Sequence, residues 1–261
     1  MSGRELLTPE PLPEEAEAAR MPFWEHVGEL RGRLIRAVSA LALGTAAAYA
    51  LRFELWRLAI APLERALAPY GVTASAAFAF TDLVEPFVVF LRLSFWSAAF
   101  LVSPFLFLQV WGFVRPALRE SERRYASTFV VTTSVCFVSG ALFAYFVLFP
   151  LLSDLLLAEA VRAGLRANLK PEPYLDLFLY TVVGTGACFE APVLFFFLGR
   201  WGFVTPGGML ARWREASVVI LAASAFFTPG DALTTTVVFG GVLLALYFVS
   251  VLVVAAARRS N

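Results

Sequence analysis

The stretch MPFWEHVGELRGRL, residues 21–34, is a charged amphipathic segment that runs directly into a long apolar one. Its apolar residues recur at the spacing of one helical face: Phe23, Val27, Leu30 and Leu34. Glu29 and Arg33 are placed as a helical ion pair on the polar side, and Pro22 suits a first helical position. Periodicity alone therefore favours an interfacial anchor helix that leads into a membrane span.

The composition is that of a membrane protein. Of the 261 residues, 59% are hydrophobic and 16% are charged, and the mean hydropathy is +0.74. Soluble domains are nearer about one quarter charged, so we expect an all-α polytopic membrane protein. Residues 1–20 are polar and acidic, without the apolar core or cleavage site of a signal peptide, and we interpret them as a disordered tail. A transmembrane domain over 21–257 and a cytoplasmic tail over 258–261 complete the predicted organisation.

Six transmembrane helices are expected from the apolar segments. A span needs about 20 apolar residues, and four segments qualify at once: 34–51, 86–111, 125–149 and 174–199. The turn Thr228-Pro229-Gly230-Asp231 divides the remaining apolar stretch into 216–227 and 232–257. The fifth helix then has about 14 residues, or roughly 21 Å, against a bilayer core of about 30 Å. We predict that the fifth and sixth helices form a short hairpin whose tip stops inside the membrane or thins it.

The distribution of Lys and Arg predicts the orientation. Six spans put both termini on one side, which carries 14 of these residues, whereas the other side carries six and Arg92 lies just inside the second span. The positive-inside rule therefore places both termini in the cytoplasm. The long loops, 52–85 and 150–173, are then outside, and a leucine stripe in the second of them predicts an amphipathic helix at the outer surface.

Five ordered motifs carry a family resemblance. They are His26-x-x-Glu29-Leu30-Arg31-x-Arg33, the loop W-x-F-x-x-P-x-L-x-x-x-E-R-R over 111–124, G-x-x-F-x-Y-F-x-x-x-P over 140–150, F-E-x-P-V over 189–193, and Thr228-Pro-Gly-Asp231. Together they resemble the TatC family, the receptor subunit of the twin-arginine protein translocase. Taken without the resemblance, the loop over 109–124 is also compatible with a polar connector whose acids cap the next helix.

The resemblance implies binding of signal peptides. Phe113 and Glu122 match positions implicated in recognising the twin-arginine signal, and Glu29 matches a second acidic contact. Carboxylates suit this role because each accepts two parallel hydrogen bonds from a guanidinium. Each acid also has arginine neighbours, so internal pairing competes with the ligand, and the residues alone leave open which acids are free.

Glu190 is the most informative single residue, because it lies between long apolar runs. A charged group at the bilayer centre costs at least about 2.5–3.5 kcal/mol, so Glu190 should face a partner or a wet cavity. Pro192 should loosen the helix one turn earlier. In the family, the matching acid faces a concave pocket in the membrane. The alternative is a protonated or internally bonded glutamate that only affects packing.

The predicted hairpin resembles the family's T-P-P-D motif, with Gly230 in place of the second proline. The family usually has a polar amide four residues after the aspartate, where this chain has Thr235. The resemblance implies contacts with partner helices, which we assign to Thr228, Asp231 and Thr235.

The implied function does not include catalysis of a chemical reaction, so we expect no enzyme activity, no cofactor and no metal. The family binds signal peptides of folded precursors, assembles with single-span TatA- and TatB-type subunits and uses the proton-motive force in the bacterial or archaeal inner membrane. Lipid and further copies of the chain are expected neighbours, and nucleic acid is not.

Two other classes of membrane protein are alternatives to this family. A rhomboid-type protease needs a Ser and a His within the membrane, and the only histidine, His26, precedes the first span. A proton-coupled small-molecule transporter is the alternative that Glu190 motivates. It would be expected to show inverted repeats, and none is visible in the sequence.

Overall fold

The computed structural model describes residues 14–114, 126–165, 168–227 and 234–259, which are helical almost throughout. The helices, in chain order, are α1 (Glu14–Ala50), α2 (Arg52–Leu67), α3 (Ala74–Ala77), α4 (Glu85–Val114), α5 (Ala126–Phe143), α6 (Phe149–Arg162), α7 (Pro171–Cys188), α8 (Ala191–Arg200), α9 (Pro206–Ala211), α10 (Trp213–Phe227) and α11 (Thr234–Arg259). A π-helical turn, Ala144–Leu148, joins α5 to α6. The predicted all-α class is confirmed.

Four segments are long and apolar enough to cross a membrane: Glu85–Phe113, Phe129–Arg162, Pro171–Arg200 and Thr236–Ala257. A fifth is the pair Val27–Ala50 and Arg52–Tyr70 if it counts as one span bent by 80°. The helix α10 has 15 residues, or about 22 Å, which is short of a bilayer core. The chain is therefore a polytopic membrane protein, and the count of six spans stays a prediction.

The first helix begins earlier than the sequence analysis predicts. It starts at Glu14, so residues 14–20 of the expected disordered tail are helical, and Pro22 lies inside the helix and not at its first position. The reason is the local composition, because the stretch EEAEAAR consists of strong helix formers. Residues 1–13 lie outside the described part of the chain.

The first segment predicted to lie outside, 52–85, contains α2, which is bent by 80° from α1 and packs against α4, α6 and α7. Pro62 stands inside α2 and, lacking an N–H, leaves the carbonyl of Leu58 without its helical donor. The hydroxyl of Tyr145 donates to Leu58 O at 2.9 Å, and that of Tyr174 donates to Ala59 O at 2.7 Å. Two spans therefore hold α2 through carbonyls near its proline.

The second segment predicted to lie outside, 150–173, begins with a helix, as expected. This helix is not separate, because the third span continues through the π-helical turn and α6 as far as Arg162. It ends before Leu165 and Leu169. Leu169 instead pairs with the segment 52–85, where its N–H donates to Ala77 O at 2.7 Å.

The largest core cluster lies against α2. It combines buried residues of α2, α3, α4, α6 and α7, and its centre is aromatic: Phe149, Tyr174 and Phe178 meet at ring-centroid distances of 5.2 to 6.5 Å. Near this cluster, Arg92 of α4 bridges Glu172 at 2.9 Å and Asp176 at 3.2 Å on α7. The charge of Arg92 is therefore paired with two carboxylates of the fourth span.

Candidate functional site

The packing of α1 against α4 joins two of the sequence motifs. Arg33 stands one turn beyond Glu29 on α1, and its guanidinium lies against the backbone of α4 at Gly112, the neighbour of Phe113. Two segments that are about 80 residues apart in the chain therefore meet at one end of the molecule. Glu29 and Phe113, two of the three residues that we assigned to signal-peptide binding, flank this contact, Glu29 as the ion-pair partner of Arg33 and Phe113 as the residue after Gly112. The third, Glu122, lies outside the described residues.

The structure answers whether Glu29 pairs internally. Its carboxylate forms an ion pair with Arg33 and accepts a hydrogen bond from Nη2 of that residue. The side chain of Glu29 is 38% exposed and that of Arg33 is 20% exposed. The acid therefore remains accessible from one side while an arginine of its own helix occupies another.

An aromatic cluster lies close to Phe113 in the chain, and sequence reasoning missed it. Trp111 is buried and stacks on Phe129 of α5 with ring centroids 4.4 Å apart, and both rings contact Phe197 of α8 at 5.8 and 5.0 Å. The ends of three spans are thereby tied together on either side of residues 115–125. The only signal in the sequence was the Trp of the motif over 111–124, which carries the resemblance but does not indicate its packing.

Glu190 lies at a break in the fourth span. The helix α7 ends at Cys188 and α8 begins at Ala191, because Pro192 has no N–H to donate to the carbonyl of Cys188. The expected loosening of the helix before Pro192 is confirmed. The break is also tightly packed, since a Cβ built on Gly140 would come within 2.6 Å of the Phe189 ring.

The surroundings of Glu190 are polar and incompletely hydrogen-bonded. The side chain of Thr133 and the backbone of Phe137 face its carboxyl group. Among the described residues, however, neither Glu190 Oε1 nor the buried hydroxyls of Thr133 and Thr185 have a hydrogen-bond partner. Buried polar atoms in proteins are usually satisfied by protein groups or by water, so this arrangement suits a small wet site inside the membrane. The two threonines were missed because single threonines in apolar helices carry no distinctive pattern.

The predicted hairpin is described only at its two stems. Thr228 and Asp231 lie outside the described residues, and Thr235 is the second residue of α11. The stems themselves pack closely, because a Cβ at Gly240 would lie 2.7 Å from Leu221 Cδ2 and 3.0 Å from Ser224 Oγ. The short α10 is thus held along α11.

Comparison with known proteins agrees with this arrangement. Residues 25–240 match the family model described as the Sec-independent protein translocase protein TatC. A protein of that name from Koribacter versatilis is 30% identical over 92% of this chain and 88% of its own length. Another from Azotobacter chroococcum is 34% identical over 82% of each chain.

Solved structures show the same fold. A crystal structure of the twin-arginine translocase receptor TatC covers 90% of this chain and 100% of its own, with a TM-score of 0.77 and 27% identity. A second one, in the detergent DDM, has a TM-score of 0.74 and 26% identity over 87% of this chain and 98% of its own. The transporter alternative finds no support in any of these similarities. The match over most of the sequence, the five motifs and the shared fold show that this chain belongs to the TatC family of Sec-independent protein translocase proteins.

Proposed function

We propose that this TatC protein, a multi-pass membrane component of a protein translocase, is the receptor and core subunit, that it binds the twin-arginine signal peptides of folded precursors, and that it takes part in their proton-motive-force-driven export. We infer that it resides in the inner membrane with both termini in the cytoplasm. The observation that supports the proposal most directly is the contact of Arg33, the partner of Glu29, with Gly112, the residue before Phe113.

The chemistry of this end of the molecule suits a ligand with two guanidinium groups. A carboxylate receives a guanidinium through charge-assisted, often bidentate hydrogen bonds, which are shorter and stronger than neutral ones. We propose that Glu29 and Glu122 each receive one arginine of the signal and that Phe113 contacts the apolar part of the peptide. A half-buried carboxylate is favourable for this, because partial exclusion of water strengthens the attraction.

Partner subunits are proposed for the hairpin and for the membrane interior. The helix α10 is too short to span a bilayer core, and the apolar surface of α11 is exposed at Val237 and Leu252. Single-span TatA- and TatB-type helices are the proposed occupants of this side, with contacts to Thr228, Asp231 and Thr235. Glu190 is proposed to offer a polar group to the translocating or assembling helix within the membrane.

The experiment for the receptor role compares two acids of one loop. We expect Glu122→Ala to weaken binding of a twin-arginine peptide to the purified protein by about tenfold or more, because truncating one partner of a charged hydrogen-bonded pair costs about 2 kcal/mol or more. Membrane insertion should be intact, since the acid is proposed to contact the ligand and not to support the fold.

Glu120→Ala is the matched control, because it removes the same charge two residues away. Equal losses in both variants would reduce the effect to general electrostatics. Unchanged binding by Glu122→Ala would remove Glu122 from the recognition site.

A further inference from the structure

The guanidinium of Arg33 occupies space beside α4 that is open because residue 112 is a glycine. A Cβ built on Gly112 would overlap the Arg33 guanidinium and would lie 3.0 Å from its Nη2. The neighbouring position on α1 is different, because a Cβ built on Gly32 meets nothing within 4 Å. The guanidinium therefore rests directly on the α4 backbone, beside Phe113 and in contact with the carboxylate of Glu29.

In this position the guanidinium of Arg33 does not use all of its hydrogen-bond donors. An arginine side chain has five N–H groups, and one of these, at Nε, is buried with no hydrogen-bond partner among the described residues. The ion pair with Glu29 joins residues four apart on a partly exposed surface, where such pairs add little to stability. Arg33 is thus bound to Glu29 in a way that another guanidinium can displace.

We propose that Arg33 is an internal ligand of Glu29, which competes with a signal-peptide arginine for this carboxylate and lowers the affinity for the peptide. This inference rests on the proposed receptor function. A peptide arginine that replaces Arg33 at Glu29 exchanges one guanidinium–carboxylate pair for another, so that exchange by itself yields little free energy. Removing Arg33 from Glu29 should therefore raise the affinity for the peptide.

The test compares a twin-arginine peptide with the same peptide carrying one lysine in place of an arginine, using the purified full-length protein in detergent. Arg33→Gln keeps a polar side chain but removes the charge. We expect it to bind the twin-arginine peptide about three- to tenfold more tightly than the unmodified protein does, and to gain no more than this factor for the peptide with one lysine. Arg33→Lys should restore the competition and bring both affinities back toward those of the unmodified protein.

The Gly112→Ala variant should also displace Arg33 from Glu29, without removing its charge. The atoms that must move are at the far end of the flexible Arg33 side chain, and alanine is a better helix former than glycine, so the variant should fold. We expect it to resemble Arg33→Gln, and we expect the double variant to show no further change. Gly32→Ala is the matched control and should bind both peptides as the unmodified protein does.

Unchanged or weaker binding of both peptides by Arg33→Gln would overturn the inference, the weaker binding because it would show that Arg33 only orients Glu29. In that case the Glu122→Ala variant, measured in the same assay, still decides the receptor function separately. If the unmodified protein does not bind the twin-arginine peptide at all, the receptor function and the inference both fail.

Discussion

At the scale of single residues, Glu190 is a partly buried acid at a break between two helices, where it is expected to destabilise the fold. It occupies the break between α7 and α8, and its Oε1 atom is buried without a hydrogen bond in the described part of the chain. An acid in such a place is expensive for the fold in a membrane. A residue that the fold would be more stable without is a reasonable candidate for a functional role.

We expect Glu190→Gln and Glu190→Leu to be expressed normally and to bind signal peptides nearly as the unmodified protein does. The leucine variant should unfold at an equal or higher temperature in detergent, because it removes an unpaired buried polar group. Export of a folded twin-arginine reporter in vivo should weaken, and leucine should have the larger effect since it also removes the hydrogen-bonding atoms.

Full export by Glu190→Leu would leave this residue with a packing role only. If both variants fail to fold, Glu190 belongs to a structural hydrogen-bond network and the proposed wet site is wrong.

At the scale of secondary-structure elements, α2 shows how a proline inside a helix is accommodated. Pro62 deprives the Leu58 carbonyl of its donor, and the hydroxyl of Tyr145 supplies one at 2.9 Å. The sequence motif over 140–150 includes Tyr145 but does not indicate a hydrogen-bond partner for it. The partner is visible only once α2 lies against the third span.

We expect Tyr145→Phe to lower the stability of the protein by about 1 kcal/mol, because the Leu58 carbonyl loses its hydrogen bond. The measurement is thermal or denaturant unfolding in detergent. The same substitution in a Pro62→Ala background should cost less, since the restored N–H of residue 62 can serve the carbonyl. Tyr180→Phe, at a side chain that is 62% exposed, is the control and should have little effect. Equal costs in the two backgrounds would contradict the proposed role of the hydroxyl.

At the scale of the whole molecule, length and charge together predict how the chain sits in the membrane. The two segments predicted to lie outside contain α2 and the extension of the third span to Arg162, so they include regular helices and are not open loops throughout. The helix α10 is too short to cross a full bilayer core.

We therefore expect cysteines placed near Arg65 or Arg162 to react quickly with membrane-impermeant thiol reagents applied from outside. Cysteines at Gly230 or Asp231 should react slowly, because the hairpin tip stops within the membrane. The cysteines for comparison belong in a background without Cys136 and Cys188, both of which are free. A tip that reacts as fast as the outer segments would mean that the last two helices span fully, and the argument from length would fail.

The sequence by itself determined the fold class, the family and the residues of the candidate site that belong to local motifs. Apolar segment lengths and the positions of Lys and Arg act locally or through the membrane, so they can be interpreted without knowing any tertiary contact. The break at Glu190 was also predictable, because the missing N–H of Pro192 acts within its own helix.

Only the tertiary structure decided which groups meet across the helices. The guanidinium of Arg33 on Gly112, the hydroxyl of Tyr145 on Leu58 and the polar atoms around Glu190 all join residues distant in the chain. Such contacts depend on the rotation and approach of packed helices, which hydropathy does not encode because every face of a buried span is apolar. The pairing of Arg33 with Glu29 was predictable from their spacing, but the position of the Arg33 guanidinium against α4 was not.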